Sequence, residues 1–333
     1  MRVALIGLGM VSGTYVDALS KTDITLAGVY SRDPANRATF LAKHELAAQS
    51  YSSVGDICLD NIDFAILTTP PNARAEIVGA LAAAGIPILM EKPVERTLAA
   101  ATALVETCEA ADVPLGIMLQ HRARPVVADL RRLLPELGVL RMAEVHVPWW
   151  RPQSYYDEPG RGSYGRDGGG VLISQAIHTL DLMLSLTGPV SQVTAMVATT
   201  GFHAMESEDF VSAGLAFANG AFGTLSATTA SFPGRGETIT LHFSRGSARI
   251  DTGLLTIDWQ DGRRDSFGAA GGSGSGADPM AFTSDWHRAM IEDFAASLRE
   301  NRPPLVTGRA ALDVHRLIAA LELSGRTGAR VEV

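Results

Sequence analysis

The sequence predicts an α/β domain followed by an α+β domain, and three observations lead to this prediction. Short apolar runs alternate with helix-periodic segments over the first 120 or so residues, strand-like runs follow one another from about 190 to 258, and two helical patterns close the chain. Alternation indicates a parallel sheet wound with helices, whereas successive strands joined by turns indicate an antiparallel sheet. We therefore expect two domains, with residues 1–122 in the first and 123–333 in the second.

The elements follow from this pattern in chain order. The first domain is predicted to contain five strands, in the segments RVALIG, ITLAGVYS, DFAILTT, IPILM and PLGIML, with helices over 10–20, 34–47, 72–84 and 97–111. In the second domain, Asn219-Gly220 separates two strand-like runs and predicts a hairpin. The closing helices are expected over 284–300 and 308–325, and the last helix and strand are candidates to pack back on the first domain. The stretch 268–277, GAAGGSGSGA, has the composition of a flexible loop.

Composition and charge narrow the class of protein. The 333 residues are 46% hydrophobic and 19% charged, which is typical of a globular protein, and no run approaches the roughly 18 apolar residues of a membrane helix. The formal net charge of -8 argues against nucleic acid or an anionic membrane as a partner, because both attract basic surfaces. We expect a small-molecule partner, and no metal site is predicted. Cys58 and Cys108 lie far apart, which favours reduced thiols in a cytosolic protein.

A glycine-rich segment, GLGMVSG, follows the first predicted strand and opens a helix, the context that a dinucleotide-binding turn requires. Gly7 permits the tight turn, and Gly9 lets the backbone approach a pyrophosphate at the positive end of the helix. Ser12 replaces the third glycine of the usual pattern, with Gly13 beside it. We predict that this turn binds a dinucleotide cofactor through Gly7, Leu8, Gly9, Met10 and Val11.

The end of the second strand, GVYSRDPANRA, bears on the choice of cofactor. An acidic residue at this tip would accept hydrogen bonds from the ribose hydroxyls of NAD, but here the tip carries Ser31 and Arg32. Ser31 can hydrogen-bond a 2'-phosphate, and Arg32, with Arg37, can neutralise it. The sequence therefore favours NADP over NAD. The alternative is that both arginines are surface residues and Asp33 meets the ribose of NAD.

Two further stretches, TTPPNARAE and MEKPVE, follow apolar strands, and so they are expected at the sheet edge where ligands of open α/β sheets bind. Lys92, in the second stretch, is a candidate acid or base. A lysine near nicotinamide and partly desolvated has a lowered pKa and can share a proton with a substrate hydroxyl. The alternative is a surface lysine paired with Glu91.

The segment DGGGVLISQAIHTLD, residues 167–181, joins three glycines to a mostly apolar helix predicted to start near Val171. Helical spacing puts Ser174, His178 and Asp181 on one stripe beside Gln175. A buried helix needs partners or a cavity for such a polar stripe. His178 is therefore either a hydrogen-bonded core histidine or a site residue, and this stretch alone does not decide between them.

The segment before it, residues 147–170, is dense in aromatic residues interleaved with arginines. Aromatic faces beside multidentate donors suit a sugar ring or polyol, including one that carries a carboxylate or phosphate. The candidate substrate contacts here are Trp150, Arg151, Tyr156 and Tyr164. The alternative is a long loop that packs its own aromatic side chains, or an oligomer contact.

These motifs, taken in order, resemble the glucose-fructose oxidoreductase, inositol dehydrogenase and rhizopine catabolism family (Gfo/Idh/MocA). The resemblance covers essentially the whole chain, through GLG, TPPN, EKP, HRARP, GGGVLISQAIHTLDL and the closing NRPPLVTGRAALDVHRLIAALELSGRTGARV. It implies an N-terminal Rossmann domain and a C-terminal domain with an open, mostly antiparallel sheet. It also implies a site between the domains where Lys92 and His178 face the nicotinamide, and a cis peptide before Pro93.

The resemblance extends the predicted site and shows three departures. It adds Thr69, Pro70, Asn72, Glu91 and Gln120 to the cofactor residues, and Arg122, Ser174, Gln175 and His178 to the substrate residues. Ser174 stands where an Asp is common, Arg74 where a His is common, and Gln120 where an Asn is common. Without that Asp, Lys92 and His178 must share the acid–base role. Asp181 is expected to be a structural partner, and Asp285 and His287 are candidates to approach the site.

The predicted function is an NAD(P)-dependent dehydrogenase that acts on a secondary alcohol of a sugar, cyclitol or sugar derivative, with Lys92 and His178 as the acid–base pair. The first alternative within the family is a glycosidase that oxidises and re-reduces its sugar with one bound nicotinamide. The second is a non-catalytic regulator that senses nicotinamide, which the presence of both Lys92 and His178 disfavours. A homodimer or homotetramer is expected, because relatives commonly pair through an exposed sheet face.

Overall fold

The computed structural model describes residues 1–272 and 274–333, and their contacts divide the chain into two compact units. The first unit consists of Met1–Gln120 and Ser284–Leu312, and the second of His121–Thr283 and Asp313–Val333. None of the helices in the described part of the chain has the length and apolar character of a membrane span.

The sheet of the first unit has six parallel strands: β1 (Arg2–Ile6), β2 (Thr25–Tyr30), β3 (Gln49–Ser50), β4 (Phe64–Leu67), β5 (Ile88–Glu91) and β6 (Leu115–Met118). Its strand order is β3-β2-β1-β4-β5-β6, the order of a Rossmann fold. The helices between the strands are α1 (Ser12–Leu19), α2 (Pro34–Lys43), α3 (Val54–Leu59), α4 (Ala75–Ala83) and α5 (Leu98–Ala110). The predicted Rossmann domain is confirmed.

Local sequence explains most of these elements. Apart from Arg2 at the start of β1 and Glu91 at the end of β5, strands β1, β4 and β5 are apolar throughout, because helices cover both faces of a parallel sheet. Asp33 caps α2 through the Ala35 N–H, with Pro34 at the first helical position. Strand β3 and helix α3 lay outside the predicted pattern, because elements of two and six residues are too short to show a period.

The second unit is built on a nine-stranded sheet. Its strands are β7 (Leu140–Pro148), β8 (Val190–Ala198), β9 (Phe210–Phe217), β10 (Phe222–Thr228), β11 (Thr238–Phe243), β12 (Gly246–Asp251), β13 (Leu254–Trp259), β14 (Arg264–Gly268) and β15 (Val331–Glu332). The order is β14-β13-β12-β11-β7-β10-β9-β8-β15, and every pairing except β7 with β10 is antiparallel. The predicted hairpin at Asn219-Gly220 joins β9 to β10, with Gly220 at a φ of 85°. The predicted antiparallel domain is thus confirmed.

Helix α6 (Pro125–Leu137) precedes β7, and α7 (Gln153–Tyr156) and α8 (Ile177–Thr187) lie between β7 and β8. Helices α9 (Asp285–Glu300) and α10 (Gly308–Thr327) follow β14 and precede β15. Helix α6 packs its apolar stripe on β12, β13 and β14, and α8 packs on β7 and β11. Cys58 and Cys108, on α3 and α5 of the first unit, are free thiols.

The C-terminal segment is shared between the two units, whereas the predicted boundary placed every residue after 122 in the second domain. Helix α9 belongs to the first unit, where Phe294 packs edge-on against Phe64 with 5.3 Å between ring centroids. Strand β15, a candidate to return to the first domain, instead pairs with β8 in the second unit. The reason is physical: periodicity reveals that a helix is amphipathic, but not which sheet receives its apolar face.

The predicted flexible loop 268–277 contains Ser273, which lies outside the described residues. Beyond it, the carbonyls of Gly274 and Gly276 accept hydrogen bonds from the guanidinium of Arg151, at 2.7 and 2.5 Å. The carbonyl of Ser275 accepts one from the Trp150 N–H at 2.8 Å. The composition of the loop predicted flexibility, but residues 274–276 accept specific hydrogen bonds from Trp150 and Arg151.

Candidate functional site

The glycine-rich turn after β1 is fixed against the loop after β4. Gly7 has a φ of 98°, and a Cβ there would lie 2.7 Å from the Thr69 nitrogen, so only glycine fits. The Gly7 N–H donates to Tyr30 O at 2.8 Å, and the Thr68 hydroxyl donates to Gly7 O at 2.6 Å. The turn therefore lies at the carboxyl edge of β1, between β2 and β4.

The next residues leave space for a ligand. A Cβ at Gly9 would meet nothing within 4 Å, and Met10 is 52% exposed although it is apolar. Leu8 and Val11 are half-buried, and α1 follows from Ser12 with its N–H groups directed at this turn.

A buried polar atom points to the same ligand. Thr69 Oγ1 is buried but has no hydrogen-bond partner among the described residues, and its backbone nitrogen is the nearest atom to a Cβ at Gly7. A dinucleotide pyrophosphate can approach an open glycine turn and bind at a helix N-terminus. It would also give the buried Thr69 hydroxyl a hydrogen-bond partner. The residues present therefore fit the predicted cofactor.

The other predicted cofactor residues of the first unit lie at the same carboxyl edge of the sheet. Pro70 and Asn72 are exposed in the loop after β4, where Pro71–Ala73 form a 3-10 turn. Gln120 begins a second such turn after β6, and its Oε1 is buried without a partner among the described residues. These positions come together because the carboxyl ends of parallel strands share one edge.

The tip of β2 contains both polar and cationic groups. Arg32 is exposed, whereas Arg37 is buried and donates to Ser31 O at 2.6 Å and to Ser50 Oγ at 3.1 Å. The Asp33 carboxylate accepts from the Ala35 N–H at 2.9 Å. Arg37 thus supports the tip from within, and Arg32 is the exposed cation beside Ser31.

The turn after β5 carries Lys92 and contains a cis peptide bond between Lys92 and Pro93, as predicted. The Glu91 carboxylate turns back into the protein, where it accepts from the Tyr15 hydroxyl at 2.8 Å and from the Lys92 N–H at 3.1 Å. Burial raises the pKa of Glu91, and the charge of Lys92, the hydrogen bond from Tyr15 and the charge of Arg74 oppose this rise. Glu91 therefore supports the Lys92 turn, while Lys92 itself is half-buried.

His287 reaches the same turn from α9. Its ring packs edge-on against Tyr15 at 5.4 Å, and its Nε2 lies 3.9 Å from Glu91 Oε1. Burial and the charge of Lys92 lower the pKa of His287 to about 3, so its imidazole is neutral at physiological pH. His287 was expected to approach from the C-terminal domain, whereas the structure groups α9 with the first unit.

In the second unit the three glycines before His178 lie against Glu208. The Glu208 carboxylate accepts from the Gly170 N–H at 3.1 Å and from the Leu172 N–H at 2.9 Å. A Cβ at Gly170 would lie 1.8 Å from Glu208 O, and Gly169 has a φ of 152°. These glycines are therefore required by the protein's own backbone, whether or not a cofactor lies nearby.

The helix that follows does not begin as a regular α-helix. Leu172–Ala176 form a π-helical turn, and α8 starts only at Ile177, so the predicted stripe of Ser174, His178 and Asp181 is not evenly spaced. π-helical turns in proteins are frequent at functional sites. His178 is 7% exposed, and its ring lies against that of His121.

The polar neighbours of His178 have different surroundings. Ser174 is half-buried, while Gln175 is 4% exposed and its Oε1 has no hydrogen-bond partner among the described residues. Arg122 makes a two-pronged ion pair with the buried Asp181, through Nε at 2.7 Å and Nη2 at 2.6 Å. Asp181 is thus a structural partner, and Arg122 is largely occupied by it.

The aromatic and arginine segment largely packs on itself. Arg151 is 3% exposed and bonded to the loop carbonyls described above, and the Tyr156 hydroxyl lies 2.7 Å from Thr229 Oγ1. Arg161 and Arg166 both pair with Glu158. Arg151 and Tyr156 are therefore held inside the protein, which favours the alternative of a self-packed loop for these two.

Of the candidate substrate contacts in this segment, Tyr164 is exposed and Trp150 is half-buried. Trp150 makes edge-on contacts with Phe202 at 6.1 Å and Phe232 at 5.4 Å, and Tyr164 is 46% exposed. Three residues were not predicted from the sequence: Tyr15 beside the Lys92 turn in the first unit, and Glu208 and His121 beside the glycines and His178 in the second. A glycine run followed by a buried helix could have indicated a carboxylate such as Glu208, but it could not have located it.

Comparison with known proteins identifies the family. Residues 1–119 match the model described as an oxidoreductase family with an NAD-binding Rossmann fold, and residues 128–249 match the GFO/IDH/MocA C-terminal domain. The chain is 31% identical to myo-inositol dehydrogenase Hyg17 of Streptomyces leeuwenhoekii, over 59% of this chain and 58% of that protein. It is 27% identical to D-apiose dehydrogenase of Paraburkholderia graminis, over 83% of this chain and 73% of that protein.

A solved structure extends the similarity to both units. The WlbA dehydrogenase from Bordetella pertussis, in complex with NADH and UDP-GlcNAcA, is 26% identical with a TM-score of 0.85, covering 100% of this chain and 97% of that one. For several of the curated relatives, including Hyg17 at 58%, the chain spans less than two thirds of their length. Both domain models nevertheless match in order along one chain. The chain therefore belongs to the GFO/IDH/MocA family of NAD-binding oxidoreductases.

Proposed function

We propose that this protein transfers a hydride between NAD(P) and a secondary alcohol or ketone of a sugar, cyclitol or sugar derivative. The observation that carries the proposal is the place of Lys92: a half-buried, supported turn at the carboxyl end of β5. This is the sheet edge where the glycine turn fits a dinucleotide. The relatives named for inositol and apiose, and the neighbour that holds a nucleotide-linked sugar acid, support the substrate class.

Lys92 and His178 are the proposed acid–base pair. The nicotinamide, when bound, accepts or donates the hydride. In the oxidative direction the Lys92 amine takes the proton of the substrate hydroxyl, and His178 donates a hydrogen bond to the same oxygen and stabilises its developing charge. Ser174 supplies no carboxylate to His178, so the proton transfer depends mainly on Lys92. Gln175, with its buried amide oxygen, is proposed to accept a hydrogen bond from a second substrate hydroxyl.

NADP is the proposed cofactor in preference to NAD. Asp33, the acidic residue that would otherwise meet the ribose, has its carboxylate on the Ala35 N–H, while Arg32 is exposed beside Ser31. The test compares kcat/KM for the two cofactors in the wild type and in Arg32→Ala. Loss of affinity for NADP alone is expected, because Arg32 would neutralise a group that only NADP carries. Equal effects on both cofactors would reject this preference.

The proposed activity is tested by nicotinamide absorbance with polyols, sugars and nucleotide sugars, each offered with NADP and with NAD. Lys92→Ala is expected to abolish turnover and spare cofactor binding, and His178→Ala to reduce turnover. Lys43→Ala is the matched control, because Lys43 is an exposed lysine of α2 in the same unit. Turnover retained in Lys92→Ala would reject the assignment. A retained cofactor with no net absorbance change, together with sugar cleavage, would indicate the redox-cycling glycosidase.

We further propose that the protein forms a homodimer or homotetramer through the open face of its nine-stranded sheet. Met142 and Phe222 are neighbours in the pairing of β7 with β10, and both are exposed. Met196 lies on the same face of β8 and is 66% exposed. Large apolar side chains grouped on one sheet face are typical of a protein–protein contact.

A further inference from the structure

Arg74 is an arginine at the start of α4 that is only 1% exposed, and its guanidinium binds backbone carbonyls on two different loops. Nε and Nη2 donate to Thr69 O at 3.0 and 2.8 Å, in the loop after β4. Nη1 donates to the carbonyls of Glu91 at 2.6 Å, Pro93, and Val94 at 3.4 Å, in the turn after β5. Because the donors of a guanidinium form a rigid fork, Arg74 fixes the separation of these two loops.

Lys92 lies between two of the carbonyls that Arg74 holds. The Glu91 carbonyl precedes Lys92 in the chain and the Pro93 carbonyl follows it. The Glu91 carboxylate holds the intervening Lys92 N–H. The backbone on either side of Lys92 is thus fixed by buried side chains, and the lysine's Cα has little freedom to move.

Arg74 also places a positive charge beside this turn. Burial lowers the pKa of Arg74 to about 10, a shift that Glu91, Tyr15 and Glu95 oppose, so the guanidinium remains cationic at neutral pH. Two further titratable groups lie at the turn: His287 is neutral there, and burial raises the pKa of Tyr15. The charged groups at the turn are the Arg74 cation, the carboxylates of Glu91 and Glu95, and Arg96, which pairs with Glu95.

We infer that Arg74 is a positioning residue: by holding the carbonyls on both sides of Lys92 against the Thr69 loop, it sets the place and the charge environment of the Lys92 amine. This inference rests on the proposed acid–base role of Lys92. The positioning role and the electrostatic role can be separated by substitution, because the rigid fork of Arg74 can be removed either with the positive charge kept or together with it.

Arg74→Lys keeps the charge and loses the fork, whereas Arg74→Met loses both. The place of Lys92 depends on the fork, so both variants are expected to lower kcat at least about tenfold. The charge environment depends on the cation, so only Arg74→Met is expected to raise the pKa of Lys92. The expected rise is about one pH unit, since a neighbouring positive charge disfavours the ammonium form. Arg309→Met is the control, because it removes an exposed cation of the same unit that pairs with Glu109.

The sequence allows a direct measurement of the Lys92 titration. It contains only three lysines, Lys21, Lys43 and Lys92, so reductive methylation with ¹³C-formaldehyde gives three lysine signals in an NMR spectrum. The Lys92 signal is assigned by its absence in Lys92→Arg, and the other two serve as internal references. This titration needs no substrate and no turnover.

The two readouts separate this inference from the proposed function. If the wild type reduces neither cofactor with any substrate, the proposed function fails, while the titration still decides whether Arg74 acts on Lys92. A kcat within about twofold of wild type in a folded Arg74→Lys, with lowered thermal stability only, would overturn the positioning role. An unchanged Lys92 titration in Arg74→Met would overturn the electrostatic role. If Arg74→Met does not fold, Arg74→Lys decides the inference through kcat.

Discussion

The imidazole rings of His121 and His178 lie 4.9 Å apart between centroids, with their planes tilted by 31°. The Nε2 atom of His121 lies 3.9 Å from Glu237 Oε1, and Glu237 also pairs with the buried Arg124. The ring of His178 therefore lies against that of His121, and the Glu237 carboxylate lies near the His121 ring. Neither His121 nor Glu237 was predicted from the sequence to support His178. We therefore predict that the His121 ring orients His178, in place of the Asp that Ser174 replaces.

His121→Ala is expected to lower kcat by up to about tenfold, because a packed aromatic pair is worth about 0.5–1.5 kcal/mol and a loss of about 1.4 kcal/mol in the transition state is tenfold in rate. His121→Phe keeps a ring in place and is expected to stay within about threefold of wild type. The measurement is steady-state kinetics of both variants with the substrate that the panel identifies. A kcat that falls equally in both variants would show that the His121 ring nitrogens, and not ring packing, support His178.

The sequence predicted the helices, strands and turns better than it predicted the contacts between them. The conformation of Gly7 was predictable from the residue itself, because glycine adopts a positive φ without strain, and the cis Lys92-Pro93 bond was expected from the family resemblance. The partners of Arg74 were not predictable, since its role depends on two loops brought together by strand order. Arg74 was noted from the sequence as an arginine where a His is common in the family, yet it is among the most buried side chains.

Gly170→Ala is expected to be strongly destabilising. The new methyl group would lie 1.8 Å from the Glu208 carbonyl oxygen, and the clash is with backbone that cannot turn aside. A loss of about 3 kcal/mol or more in the free energy of unfolding is expected, measured by urea denaturation. Gly165→Ala is the matched control in the same segment, because a Cβ there meets nothing within 4 Å. Similar stability of the two variants would contradict the packing of the glycines on Glu208.

Glu322 is expected to make stability depend on pH. Burial, and then the charge of Glu208, raises its pKa from 4.5 to about 7. Between these values the folded state keeps a proton that the unfolded state releases, so the stability contributed by this group falls as pH rises from 4.5 to 7. Glu322→Gln should thus be more stable than wild type at pH 8, by about 1–2 kcal/mol, and the difference should vanish near pH 4.5.

Denaturation by urea at several pH values between 5 and 8 measures this difference. Glu76→Gln, at an exposed position of α4, controls for the loss of a surface carboxylate. A stability difference between Glu322→Gln and wild type that stays constant with pH would show that Glu322 ionises alike in both states.

The exposed sheet face is expected to carry the subunit contact. Phe222, the first residue of β10, is 67% exposed on this face, and its register partner on β7 is the exposed Met142. Phe222→Glu places a charge where an apolar contact would be buried, so the oligomer should dissociate at micromolar concentration, as measured by size-exclusion chromatography with light scattering. Phe232→Glu is the matched control, because Phe232 is 76% exposed but lies in a loop after β10. A wild type that is monomeric at every concentration, or a Phe222→Glu variant with unchanged mass, would reject this face as the subunit contact, whereas dissociation of Phe222→Glu alone would assign it.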